Sequence, residues 1–161
     1  MDEFISNHQA QVQNNVFGLK YLKEMDIDLL LTSSYTLLDY APVMPTRTPS
    51  PALRQAERIY NWIMEKCPGL TTIAVNLARI QYLQMDYDAA EKTLYYCLEK
   101  NATIADAHLL KAQILIDREK GSEAEKALHT GLAFNFDVRD SSLYKLVMSK
   151  VFKVGNFLNS L

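Results

Sequence analysis

Histidine and cysteine are the side chains from which nucleophilic or metal chemistry would start, and this sequence has few: His8, His108 and His129, with Cys67 and Cys97. The histidines are read as lacking a ligand partner three or four residues away, the spacing that puts two donors on one helix face, so no zinc site is expected. Asp106 and His108 stand two apart and cannot face each other on a helix. The cysteines lie 30 residues apart, neither a disulfide framework nor a metal knuckle. No electropositive cluster surrounds them, so both are expected to be structural thiols. His108 takes a place where a bulky packing residue is expected. The five glycines, Gly18, Gly69, Gly121, Gly131 and Gly155, are too scattered to cradle a phosphate. Catalysis, a metal, a cofactor and a small-molecule substrate are all unexpected.

Composition narrows the elements that could position anything else. Of 161 residues, 48% are apolar and 22% charged, enough for a core and against disorder. Five glycines and five prolines are too few for the frequent turns of a β-sandwich or barrel. Nineteen acidic against 17 basic residues leave a net charge of −2, which is no footprint for nucleic acid. The start Met1-Asp2-Glu3 is not that of a secretory signal, and apolar runs as short as Leu29-Leu30-Leu31 exclude a membrane span. The expectation is a soluble, all-α protein of a reducing compartment.

Leu53, Ala56, Ile59, Tyr60, Ile63 and Met64 recur at three- and four-residue steps. The helix they predict begins with Ser50 as cap and Pro51 in the first turn, and ends at Cys67-Pro68-Gly69. Further helices are expected over about 71–84, 88–100, 104–118, from Ser122 as N-cap to 134, and 141–154, the last stopping before a Gly155-Asn156-Phe157 turn. Toward the N-terminus, Phe4, His8, Val12, Val16, Leu19 and Leu22 predict one long helix, and 28–40 another with Leu31, Tyr35 and Leu38 on one face. Between residue 40 and Ala52, Pro42, Pro45, Pro49 and Pro51 predict an extended surface loop.

Self-comparison decides the architecture. Ala90-Glu91-Lys92, Leu94 and Leu98 reappear 34 residues later as Ala124-Glu125-Lys126, Leu128 and Leu132. One period earlier stand Ala56-Glu57-Arg58, Tyr60 and Met64, and Ala78 falls on Ala112. A 34-residue period of paired antiparallel helices is the tetratricopeptide (TPR) repeat, whose units cannot bury their apolar faces alone and therefore stack. Small residues at Ala56, Ala78, Ala90, Ala112 and Ala124 let backbones approach, while Tyr60, Leu94 and Leu128 fill the space toward the next pair. Tyr87 is the expected aromatic plug of one turn. Met85 and Glu119 stand where the turn commonly has glycine, Ala102 replaces a terminal proline, and Lys111 takes a usually apolar position. The units read as the end of a preceding repeat over 1–26, a TPR-like pair over 27–68 with the Pro-rich loop 41–51 inserted, TPR units over 69–102 and 103–138, and a partial unit over 139–161. That last unit suggests a stretch of a longer right-handed array.

Beyond the generic pattern, Ala105-Asp106-Ala107-His108-Leu109-Leu110-x-Ala112-Gln113-Ile114, and more specifically Asn135-Phe136-x-Val138-Arg139-Asp140-x-x-Leu143-Tyr144, resemble the tetratricopeptide repeat protein 21 family, the TPR subunit of intraflagellar transport complex A. The layout Leu38-Asp39-Tyr40-Ala41-Pro42, a proline-bearing loop and Ser50-Pro51-Ala52-Leu53 is also similar, over about four-fifths of the chain. The resemblance implies a non-catalytic scaffold in retrograde ciliary transport and cilium assembly, bearing also on membrane-protein entry into cilia. It implies other complex A subunits as partners and a place in the cytoplasm, cilium or flagellum, and basal body. A generic TPR adaptor reading one peptide, or the regulatory TPR segment of a larger enzyme, are the alternatives.

In a TPR stack the first helix of each pair lines the concave side. Thr72, Val75, Arg79, Tyr82 and Leu83, then Asp106, Leu109, Gln113, Ile116 and Asp117, are the expected partner-binding positions there. Their mixture of aromatic, aliphatic and charged side chains suits a peptide or helix. A chaperone-tail clamp would need paired Lys and Asn, and Val75, Arg79, Asp106 and Leu110 stand in those places. Thr48-Pro49 and Ser50-Pro51 could be proline-directed phosphorylation sites and Pro42-x-x-Pro45 a polyproline ligand, but a solvent-exposed insertion is the simpler reading.

Overall fold

The computed structural model describes residues 27–42 and 44–158, with side chains described over 31–42 and 44–150. The long helix expected near the N-terminus lies outside these. Seven α-helices and no strand occur among the described residues: α1 (Ile27–Asp39), α2 (Pro51–Lys66), α3 (Thr71–Leu83), α4 (Tyr87–Lys100), α5 (Ala105–Asp117), α6 (Gly121–Phe134) and α7 (Ser142–Leu158). A 3-10 turn, Phe136–Asp140, precedes α7. The chain is an all-α helical-repeat solenoid in which each helix packs on its chain neighbour, and α5 also packs on α3 and α7.

The small residues do what close packing requires. Ala56, Ala78, Ala90, Ala112 and Ala124 are completely buried, with Tyr60, Leu94 and Leu128 beside them in the core. One apolar cluster runs from Leu53 to Ile114, and a second from Ala105 to Val147. The two interleave along α5, whose successive faces serve the pairs on either side.

Both turns between paired helices close alike. The Asp86 N–H reaches the Gln81 carbonyl at 2.9 Å and the Met85 N–H that of Tyr82 at 2.9 Å. One period on, the Lys120 N–H bonds Leu115 at 2.8 Å and the Glu119 N–H bonds Ile116 at 2.9 Å. This reciprocal closure needs a left-handed residue, and Met85 (φ 65°) and Glu119 (φ 61°) supply it. Glycine would take that conformation without a Cβ penalty. Gly69, expected to ease a turn, has no positive φ and open space around it.

Two local expectations are corrected. Ser122 is not the cap of α6: the helix starts at Gly121 with Lys120 at the cap, because the preceding closure sets the start one period after Asp86. The Gly155 turn is absent, and α7 continues to Leu158; a lone glycine costs a helix about 1 kcal/mol and does not break it. The Pro-rich loop is tied down, since the Thr46 N–H donates to the Leu83 carbonyl at 2.8 Å, one of the acceptors that the end of α3 leaves open. The Ser50 hydroxyl accepts from the Leu53 N–H at 3.2 Å and caps α2. Asn135 likewise opens the 3-10 turn by accepting from the Asp137 N–H at 3.0 Å, and Val138 anchors it in the core. That turn delays α7, which starts at Ser142 where the period would start it at 139.

Candidate protein-binding groove

The first helices of three successive units, α3, α5 and α7, flank a groove of about 560 Å³. Of the expected positions, Val75, Arg79, Tyr82 and Leu83 line it from α3, and Asp106 and Gln113 from α5. Asn76 and Leu110 join them, and Ser141, Ser142, Leu143 and Leu146 form the far wall. Sequence reasoning missed that wall. The signal was present, since Leu143 is two periods after the lining residue Val75, but the late start of α7 obscures the register.

The lining residues differ in what they can do. Arg79 and Asp106 are exposed and Val75 is half-buried, so these side chains are accessible at the groove. Thr72 is exposed outside the groove lining. Leu109 and Ile116, expected in the groove, are core residues: Leu109 lies inside the second apolar cluster, and Ile116 packs in the same cluster. Leu109 faces α6, where its Cδ2 would lie 3.9 Å from a Cβ on Gly131, and both residues share their cluster with Ala124, Ala127 and Leu128 of that helix.

Tyr82, Gln113 and Asp117 serve the fold more than the groove. The Tyr82 hydroxyl donates to Asp117 Oδ2 at 2.7 Å and accepts from Gln113 Nε2 at 2.8 Å. Lys150 Nζ donates to Asp117 Oδ1 at 2.8 Å. A carboxylate only accepts, so the phenol spends its one proton there, and Gln113 must present its amide nitrogen. Gln113 Oε1 is then buried without a hydrogen bond among the described residues. The network links α3, α5 and α7. Burial, reinforced by the adjacent Asp117 carboxylate, pushes the Tyr82 phenol well above its ordinary range.

Tyr60, at the junction of α1 and α2, is a contrasting case. Its ring meets Tyr35 edge-on at 6.5 Å, and its buried hydroxyl makes no hydrogen bond of ordinary geometry among the described residues. Burial raises its pKa to about 12, against opposing contributions from Ser34, Arg79 and Asn76. The Tyr87 ring lies 5.8 Å from that of Tyr82 and plugs the turn as expected.

The reactive side chains hold structural places. His108 stacks on Phe134 at 5.6 Å, with its Nε2 2.8 Å from the Ala102 carbonyl oxygen. His129 does have a partner one turn back, correcting the sequence reading: Glu125 lies 3.7 Å away in an exposed pair. Among the described residues no group of three or more His, Cys, Asp or Glu could hold a metal ion. Cys97 is buried, its thiol donates to the Thr71 carbonyl at 3.4 Å, and desolvation raises its pKa, which disfavours the reactive thiolate. No described helix is long and apolar enough to cross a membrane.

Comparison with known proteins gives this helical array its family. The sequence profile of the tetratricopeptide repeat protein 21 second ARM domain matches residues 1–119. The chain is 39% identical over 157 residues to the tetratricopeptide repeat protein 21 homolog of Caenorhabditis elegans, covering 97% of this chain and 12% of that protein. It is 30% identical over 153 residues to human tetratricopeptide repeat protein 21B, covering 93% and 12%. Mouse tetratricopeptide repeat protein 21A is 26% identical over 166 residues, covering 100% and 13%. The chain therefore spans about an eighth of the length of these relatives. It belongs to the tetratricopeptide repeat protein 21 family.

Proposed function

We propose that this chain is a stretch of a non-catalytic scaffold subunit of intraflagellar transport complex A, acting in retrograde ciliary transport and cilium assembly at the cilium and basal body. Its partners are other protein subunits of that complex, held in part by the groove between α3, α5 and α7. Family membership supports the scaffold role. The observation that carries the contact surface is the groove itself, an apolar floor with Arg79 and Asp106 exposed at its sides. Mixed apolar and charged lining of this kind recognises protein segments.

The test is co-purification of the full-length protein carrying Arg79→Glu together with Asp106→Lys, two exposed positions whose reversal leaves the core intact. Recovery of complex A subunits should fall about tenfold, the effect of losing roughly 1.4 kcal/mol of binding, with the circular dichroism spectrum unchanged. Undiminished recovery would remove the groove as the contact surface. If the unaltered protein brings down one peptide-bearing client and no complex A subunit, the generic adaptor reading replaces this one.

A further inference from the structure

Two proline-directed hydroxyls stand two residues apart in the loop between α1 and α2, in Thr48-Pro49 and Ser50-Pro51, and the fold treats them differently. Ser50 is half-buried, with backbone angles of φ −63° and ψ 155°, and its hydroxyl is occupied in capping α2. A kinase would have to pull that oxygen off the Leu53 N–H and fray the first turn, which lowers its availability roughly fivefold or more. Thr48 is exposed, and among the described residues its hydroxyl contacts only the Thr46 hydroxyl, at 3.4 Å in an exposed contact. The following proline biases Thr48 away from helical backbone. The loop is held at Thr46 by the Leu83 carbonyl and at Ser50 by the cap, so Thr48 lies on a span anchored at both sides.

We propose that Thr48 is a modification site for a proline-directed serine/threonine kinase, selected over Ser50 by the cap of α2. The γ-phosphoryl group of ATP passes to Thr48 Oγ1. A new P–O bond forms there as the bond to the β-phosphate oxygen breaks, ADP leaves, and the hydroxyl proton goes to the kinase's catalytic base. The phosphothreonine gains about 1.5–2 negative charges. It sits beside Arg47 and just before a helix whose first turn has no acidic residue to offset its dipole. It also places that charge two residues from the Thr46 anchor on Leu83, a wall residue of the groove.

The test incubates the purified protein with ATP and, separately, a mitogen-activated and a cyclin-dependent kinase, and maps phosphate by mass spectrometry. A synthetic peptide of residues 41–56, too short to hold the capped helix, is the reference. Thr48 should carry the phosphate in the protein and Thr48→Ala should lower incorporation about tenfold, while both hydroxyls are labelled in the peptide. The Thr48-to-Ser50 ratio should thus be at least about fivefold higher in the protein than in the peptide. No phosphate on Thr48 with either kinase overturns the proposal, as does an equal ratio in protein and peptide.

Discussion

Residues 71–100 and 105–134 are two copies of one hairpin with identical helix lengths, 13 and 14 residues in each. Their sequences meet the same geometric demands by different means. Where α3 and α4 cross, Cys97 lies against the Thr71 carbonyl; one period later, Gly131 lies against the Ala105 carbonyl. A Cβ added at Gly131 would stand 3.2 Å from that oxygen and 3.2 Å from the Cβ of His108. The second hairpin leaves little room for a side chain at a crossing where the first holds a thiol. At the exposed turn, Asp86 caps α4 by accepting from the Ala89 N–H at 3.0 Å, whereas Lys120 makes no side-chain cap for α6. The comparison shows that the 34-residue period specifies where backbones meet, not which chemistry fills the meeting point.

The largest effect should come where the two copies agree. Ala90 and Ala124 are both fully buried against the facing helix. Ala90→Arg and Ala124→Arg each place an unpaired charge there, at a cost of several kcal/mol. Each variant should lose cooperative thermal unfolding by circular dichroism. If one unfolds and the other melts like the parent, the two positions are not equivalent and the repeat register fails at the tolerant one.

The next effect sharpens the difference at the crossing. Gly131→Cys makes the second hairpin resemble the first, but α5 would have to move from α6 by a few tenths of an ångström. Overpacking of this kind costs about 1–3 kcal/mol, partly offset by several tenths gained in helix propensity. Urea denaturation should show a lower midpoint. A raised midpoint would mean that the helices separate easily, and that tight closure is not a requirement of this copy.

The features legible in the sequence were those repeated along it. Ala56, Ala90 and Ala124 recur at one spacing, and a position that must be small in every unit is visible by self-comparison. Ser50-Pro51 was equally legible, because a cap and its helix are local in the chain. Tyr82 was legible only by type. It falls on the groove-facing helix as expected, but its role depends on Gln113, Asp117 and Lys150, and the bond to Gln113 spans 31 residues. No local pattern carries a network made by stacking. Leu109 and Ile116 were misplaced for the same reason, since both are buried in a cluster assembled from α5, α6 and α7. The delay of α7 comes from the 3-10 turn opened by Asn135, a residue that reads in the sequence only as linker.

The smallest effect concerns the uncapped start of α6. Lys120 has backbone angles of φ −96° and ψ 61°, near the φ −87° and ψ 73° of Asp86, so the main chain already has the shape that a cap needs. Lys120→Asp would put a carboxylate within reach of the Glu123 N–H, as Asp86 reaches Ala89. It would also replace a positive charge at a helix N-terminus, where the dipole favours a negative one. The gain should be about 1 kcal/mol, a rise of roughly 2–4 °C in Tm for a chain of this size. Glu123 in the same first turn reduces it by like-charge repulsion; salt screens that repulsion and the dipole contribution alike, so the rise that persists from 0.05 M to 0.5 M sodium chloride reports the capping hydrogen bond. No rise at either salt concentration would show that capping does not distinguish the two hairpins energetically, and that Asp86 contributes to α4 only through its place in the turn.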